Sequence, residues 1–235
     1  MKESIHDGHR QRMISRFLLD EGFDGFAEHE ILEVLLYYVI PRADTNRIAH
    51  GLLERFGSLA AVCEAPMVSL LDSPGIGERA AAYLKMIPAT SRAYNVSKVK
   101  NVRVINSTEE AGEFMRPYFI GCNVEKFYLL SLDSAGKVLG VTLICEGDID
   151  RALVNLRKIV ETVIMYNATR VIVAHNHPRS VALPSNEDIS CTIKIKNAME
   201  CINVRLLDHL IYSYGLEEDE AEGEYVSLAA DNLIF

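Results

Sequence analysis

His175 and His177 stand two residues apart, and Ser185 and Asp188 follow them across a short loop. Two imidazoles, a hydroxyl and a carboxylate are the parts from which a metal centre can be built. On an extended segment residues i and i+2 point to one face, so both rings can reach a single ion. Pro184-Ser185 reads as a helix start, with Ser185 as N-cap and Asp188 at the N3 position, its carboxylate turned back towards the strand end. Two His and one Asp supply three ligands of a tetrahedral zinc ion and leave the fourth position to water, the arrangement of a catalytic rather than a structural site. Each part has a plainer reading alone: a His-x-His on a bare surface strand, a Ser-x-x-Asp as a capping box. Their conjunction, directly after the apolar run Val171-Ile172-Val173-Ala174, is what points to a metal.

The pattern His, any residue, His, seven residues, Ser, two residues, Asp resembles the JAMM motif of the JAMM/MPN metalloproteases, and HNHP with PSNED downstream is most similar to the RadC branch. GHRQR, EHEILEVLLYYVIPRADTNRIAHGLL and RFGSL resemble the N-terminal helical domain of RadC proteins, so the likeness covers nearly the whole chain. It implies zinc on His175, His177 and Asp188. It also implies a general base at Glu125, just before Lys126-Phe127-Tyr128-Leu129-Leu130, taking a proton from the attacking water and returning it to the leaving amine. Ser185 has two compatible roles, a helix cap worth about 1 kcal/mol and a hydrogen-bond donor to the oxyanion of a tetrahedral intermediate; the resemblance implies the second. Glu146 competes with Glu125 and ranks lower, because the family's base belongs to the strand before the hairpin. Two departures stand out: RadC proteins usually continue Ser-Gly after HNHP where this chain has Arg179-Ser180, and Leu156-Arg157 keeps an Arg but not the usual Pro.

Two further residues near the motif carry expectations. Asn176 should point away from the histidines and make a structural hydrogen bond. His209, in Leu206-Leu207-Asp208-His209-Leu210-Ile211, reads first as a satisfied histidine on an apolar strand; the alternative is that Asp208 or His209 supports the ligands from behind.

The frame that must position these residues is an ordinary globular one. The chain has 235 residues, 49% hydrophobic and 24% charged, room for a core and two domains. No apolar run reaches the roughly 20 residues of a membrane span, and MKESIHDGHRQR lacks the apolar centre of a signal peptide. Cys63, Cys122, Cys145, Cys191 and Cys201 form no CxxC pair and read as reduced thiols of a cytoplasmic protein, poor candidates for zinc ligands. The net charge of −9 falls mostly in the second half, with a solvated acidic run from Glu217 to Glu224, so that half should not attract polyanions.

Apolar residues at three- and four-residue spacing predict helices near 8–20, 28–39, 45–56 and 78–94. Leu70-Leu71-Asp72-Ser73-Pro74-Gly75-Ile76-Gly77 looks like a helix-hairpin-helix turn with Ile76 tucked between helices; such a turn can hold a nucleic-acid phosphate irrespective of base, or can simply be packing. The basic cluster His9, Arg10, Arg12 and Arg16 is as well explained by a solvated helix face. A polar linker spans 94–106. Beyond it the expected order is helix 108–120, strands 126–133 and 137–145 joined by a turn at Asp133 to Lys137, helix 150–166, strand 169–174, helix 185–200, and strands 203–213 and 224–228. The fold class is therefore α/β (α+β), and the resemblance implies an MPN/JAMM-like sheet flanked by helices in residues 107–235, preceded by a small all-α domain of helix-hairpin-helix type in residues 1–95.

Two functions follow. The first is a zinc metallopeptidase or isopeptidase of the JAMM type with an unnamed peptide or protein substrate. The second is a DNA-associated, repair-type factor that binds DNA through the helical domain without sequence preference. A nuclease fits less well, since ligands for one ion only are visible.

Overall fold

The computed structural model describes residues 5–20, 22–99, 104–147, 154–178, 181–214 and 225–233. Arg179-Ser180, the acidic run and the middle of the expected linker lie outside the described residues. Two compact units divide the chain, Met1–Thr90 and Ser91–Phe235.

In the first unit α2 (Glu28–Tyr37), α3 (Thr45–Phe56), α4 (Leu59–Glu64), α5 (Met67–Leu71) and the start of α6 (Glu78–Val99) enclose a core of Leu32, Leu36, Leu52, Leu70, Ile76 and Leu84, while α1 (Ile5–Leu19) packs Met13 with Val34 and Tyr37 of α2. Local chemistry sets the boundaries. Asp44 caps α3 by accepting from Arg47 N, Gly57 ends it at φ +95°, and Ser58 caps α4 through Ala61 N. The short α4 and α5 are not separated by the hydrophobic pattern, and α6 runs five residues past its expected end. Ile76 is buried in this core. Gly75, at φ +83° with Ile48 Cδ1 2.7 Å from where a Cβ would sit, needs to be glycine; Gly77 meets nothing within 4 Å.

The basic residues of this unit are largely spent on the fold. Arg10 donates to the carbonyls of Ile40, Pro41 and Ala43 just beyond α2, where cations offset the helix dipole. Lys85 Nζ does the same for Glu64 and Ala65 at the end of α4. His9 meets buried Glu33, and Arg16 bonds Glu30 and the Gly25 carbonyl.

The second unit holds α7 (Thr108–Met115), β1 (Lys126–Leu132), β2 (Val138–Glu146), α8 (Leu156–Tyr166), β3 (Arg170–Pro178), α9 (Asn186–Glu200), β4 (Arg205–Tyr214) and β5 (Tyr225–Ser227). Pro117, which has no N–H to give, stands where α7 gives way to a 3₁₀ turn, short of the expected 120. Asn155 caps α8 through Lys158 N and starts it at 156 rather than 150. The sheet runs β2-β1-β3-β4-β5. β1 is antiparallel to β2 and β3, β3 is parallel to β4, and α9 makes the crossover that a parallel pair requires. No helix among the described residues is long and apolar enough to cross a membrane.

Both faces of the sheet are covered, which is why β3 begins as an unbroken apolar run. Val171 and Val173 pack with Phe127, Leu129, Ile159, Val163, Ile195 and Met199 beneath α8 and α9. Ile172 and Ala174 pack with Leu130, Leu132, Phe114 and Met115 on the α7 side. The alternation continues past the expected strand end at Ala174: β3 extends to Pro178, so His175 and His177 prolong the row that Val171 and Val173 begin. At the β1–β2 edge a bulge opposes Tyr128 to Leu143, and the Lys158 ammonium accepts its place there by donating to the carbonyls of Leu143 and Ile144. That cation blunts an edge strand otherwise open to pairing.

Candidate metal centre

Ser185 and Asp188 form a reciprocal capping box at the start of α9. Asp188 N donates to Ser185 Oγ at 3.1 Å, while Ser185 N and Oγ donate to Asp188 Oδ2 at 2.8 and 2.6 Å. Asp188 is thereby turned towards β3. His175 Nε2 lies 3.3 Å from its Oδ1 and His177 Nε2 lies 3.5 Å from its Oδ2. The two Nε2 atoms are 2.9 Å apart. All three residues are at most 9% exposed.

These distances fit a small divalent ion. Bonds of 2.0–2.2 Å in tetrahedral geometry place ligand atoms about 3.3–3.6 Å from one another; the two imidazole nitrogens lie 2.9 Å apart, and each lies 3.3 or 3.5 Å from one of the two Asp188 oxygens. The protonation pattern fits as well. His177 Nδ1 faces the Val181 carbonyl at 3.4 Å, and a carbonyl only accepts, so Nδ1 carries a proton and Nε2 is the nitrogen left to serve as a ligand. The group His175, His177 and Asp188 can hold a metal ion. Burial pushes the His175 pKa down, whereas the hydrogen bond with Asp188 raises that of His177. Burial also opposes ionisation of Asp188, but its contacts with His175, His177 and Ser185 outweigh it and hold the carboxyl well below the usual carboxylate range.

The hollow in front of these ligands is lined by Glu125, Phe127, Val154, Glu187, Cys191 and His209 as well. Glu125 therefore comes to the same place as the three expected ligands. Glu146 is more than half exposed and pairs with Lys126 Nζ at 3.2 Å. Ser185 sits behind Asp188, its single hydroxyl proton directed to Oδ2. Cys191 faces the hollow, yet burial lifts its pKa to about 11, so it remains a thiol at neutral pH. The five cysteines are all free.

Asn176 points to the other face, as the alternation requires, and its partners are specific. Its Nδ2 donates to the Val124 carbonyl at 3.1 Å, and its Oδ1 accepts from Lys126 N at 2.7 Å. The amide grips the chain on both sides of Glu125. Asn176→Ala, at a position 1% exposed, leaves a buried donor and acceptor unmet and is expected to cost about 1–3 kcal/mol. The measurement is the urea unfolding midpoint; an unchanged midpoint would show that water replaces both bonds.

His209 and Asp208 separate cleanly. A register shift lies between the pairs Val171↔Leu206 and Ile172↔Asp208, and it changes which residues of β4 face α9. Counting by twos from Leu206 puts Asp208 on the site; the shift puts His209 there instead. His209 Nε2 is 2.7 Å from His175 Nδ1, and Phe127 stacks on His175 with ring centroids 5.9 Å apart. Asp208 accepts from His209 N, Ala229 N and the Ser227 hydroxyl, tying β4 to the turn after β5. The plainer reading of His209 as a satisfied strand histidine is thus incomplete. Thr192 escapes sequence reading altogether, although it lies one turn after Asp188 on the same helical face.

The five-stranded sheet with helices on both faces and this buried His-His-Asp group belong to a JAB/MPN-like domain: residues 105–233 match the family described as RadC-like JAB domain. A UPF0758 protein of Fusobacterium nucleatum subsp. nucleatum is 34% identical over 218 residues, covering 90% of this chain and 94% of that protein. The chain belongs to the RadC family.

Proposed function

We propose that this RadC-family protein is a zinc-dependent hydrolase of the JAMM type that cleaves an amide bond, as a peptidase or isopeptidase. The supporting observation is the convergence of two imidazole nitrogens and a carboxylate at 2.9–3.5 Å, with Glu125 in the same hollow. Nitrogen and oxygen donors in a three-ligand set suit zinc in an open, catalytic site. When bound, zinc lowers the pKa of water towards 7 and polarises a carbonyl.

The chain supplies the rest. His175, His177 and Asp188 hold the ion. Glu125 takes a proton from the attacking water and hands it to the departing amine, general acid–base work worth about 10²–10⁴-fold. Ser185 keeps Asp188 in place, and once a substrate is bound its hydroxyl can turn to a developing oxyanion. Phe127 and Val154 give the hollow apolar walls, which keep bulk water from screening these charges. In this reading residues 107–235 carry the reaction and residues 1–95 form an accessory helical domain in a cytoplasmic protein.

The test is hydrolysis of a panel of fluorogenic peptides and lysine-linked isopeptides by the zinc-loaded full chain. Cleavage should disappear on chelation and return with added zinc. No cleavage of any amide at one zinc per chain, or cleavage that survives complete removal of metal, would overturn the assignment.

A further inference from the structure

Behind His175 runs a chain of buried hydrogen bonds that returns to the helix carrying the other ligand. Thr192 Oγ1 donates to the Asp188 carbonyl at 2.6 Å and lies 2.5 Å from His209 Nδ1. His209 Nε2 lies 2.7 Å from His175 Nδ1. Thr192 and His209 are fully buried and His175 nearly so, so water does not substitute for any member.

The direction of each bond can be assigned by counting protons. The Asp188 carbonyl can only accept, so it takes the one hydroxyl proton of Thr192. Thr192 Oγ1 then has only lone pairs for His209, and His209 Nδ1 must carry its N–H. A neutral imidazole has one N–H, so His209 Nε2 is bare and accepts from His175 Nδ1. Neutrality is what the dry surroundings favour, since an imidazolium there would be charged without solvent. His175 has then used its proton at Nδ1, and its Nε2 faces Asp188 and His177 as a lone pair.

We propose that Thr192 and His209 are positioning residues that set the tautomer and ring angle of His175 from the backbone carbonyl of Asp188, so that ligands from β3 and α9 share one reference. The ring of contacts is closed: the side chain of Asp188 faces His175 directly, and its carbonyl reaches the same imidazole through two intermediaries. A shift of α9 along its axis therefore moves both ligands together instead of pulling them apart. Ligand histidines usually rest their second nitrogen on a carboxylate, a carbonyl or water; here a neutral imidazole takes that place, and the register shift in β4 is what delivers it. The consequence for metal binding rests on the ligand assignment made above, but the tautomer does not.

The experiment uses the full chain with ¹⁵N-labelled histidine, prepared without metal, and long-range nitrogen–proton correlation spectra that separate the two tautomers. Wild type should show His175 protonated at Nδ1. Thr192→Val keeps the shape and removes the acceptor, so His209 and His175 should both lose their single tautomer. Zinc affinity, read by competition with a chromogenic chelator, should fall about 10–100-fold, the range found when such supporting partners are removed. Thr192→Ser should restore the spectrum and the affinity; a purely space-filling role would not be rescued by the smaller serine. If Thr192→Val does not fold, Thr192→Ala carries the same comparison. His175 protonated at Nε2 in wild type, or unchanged spectra and affinity in the folded variant, would overturn the proposal. Wild type that binds no zinc yet shows the Nδ1 tautomer, lost in Thr192→Val, would leave the relay standing and remove the hydrolase reading instead.

Discussion

Glu125→Gln is expected to lower amide hydrolysis by the zinc-loaded protein by about 10²–10⁴-fold, the usual worth of a positioned acid–base group, while zinc remains at one per chain. Glutamine has the same length and shape and still hydrogen-bonds, but it cannot accept the proton of the attacking water. The metal should stay because the donor triangle consists of His175, His177 and Asp188, and Glu125 only borders the hollow in front of it. Steady-state rates beside elemental analysis make the measurement. Glu146→Gln serves as the control: Glu146 is exposed and paired with Lys126, and its loss should change the rate by less than twofold, in line with the small worth of a surface ion pair. A Glu125→Gln enzyme retaining half the wild-type rate would place the base elsewhere, with Glu187, which also lines the hollow, as the next carboxylate to substitute.

What the sequence discloses here divides by the range of the interaction. The capping box of Ser185 and Asp188 is legible because it is built from residues three apart, whose geometry a helix start dictates. The shared face of His175 and His177 is legible because strand alternation is local, and the same rule sends Asn176 the other way. The partners of Asn176 are not legible, since Val124 and Lys126 come from some fifty residues earlier. His209 is obscured for a different reason: the β3–β4 register shift changes the phase of the strand, and alternation counted from Leu206 selects Asp208. The charges of the helical unit mislead in a third way. Arg10 reads as part of a solvated basic face, yet it spends its donors on carbonyls just beyond the end of α2, a use that only tertiary contact reveals.

Asp188→Ala carries the second large expectation, and it tests the metal centre apart from any substrate. Wild type purified with zinc supplied should hold about one ion per chain, and the variant close to none. Loss of a direct ligand should exceed the 10–100-fold penalty of losing a supporting partner. Stability gives an independent readout. An ion that binds only the folded chain adds about 2.7 kcal/mol when present at 100 times its Kd, which for a chain of this size raises Tm by roughly 5–10 °C. Wild type should show that rise on adding zinc, and Asp188→Ala should not. The variant also loses the acceptor for Ser185 N and Oγ, so its zinc-free Tm should sit lower by the equivalent of about 1 kcal/mol. Asp188→Asn separates the two effects, because the amide oxygen still accepts from Ser185 while the negative charge is gone. The zinc-free Tm of Asp188→Asn should recover most of the capping loss, and its response to zinc should stay small. If Asp188→Ala bound zinc as tightly as wild type, the carboxylate would be a helix cap and nothing more, and the open three-ligand site would have to be abandoned.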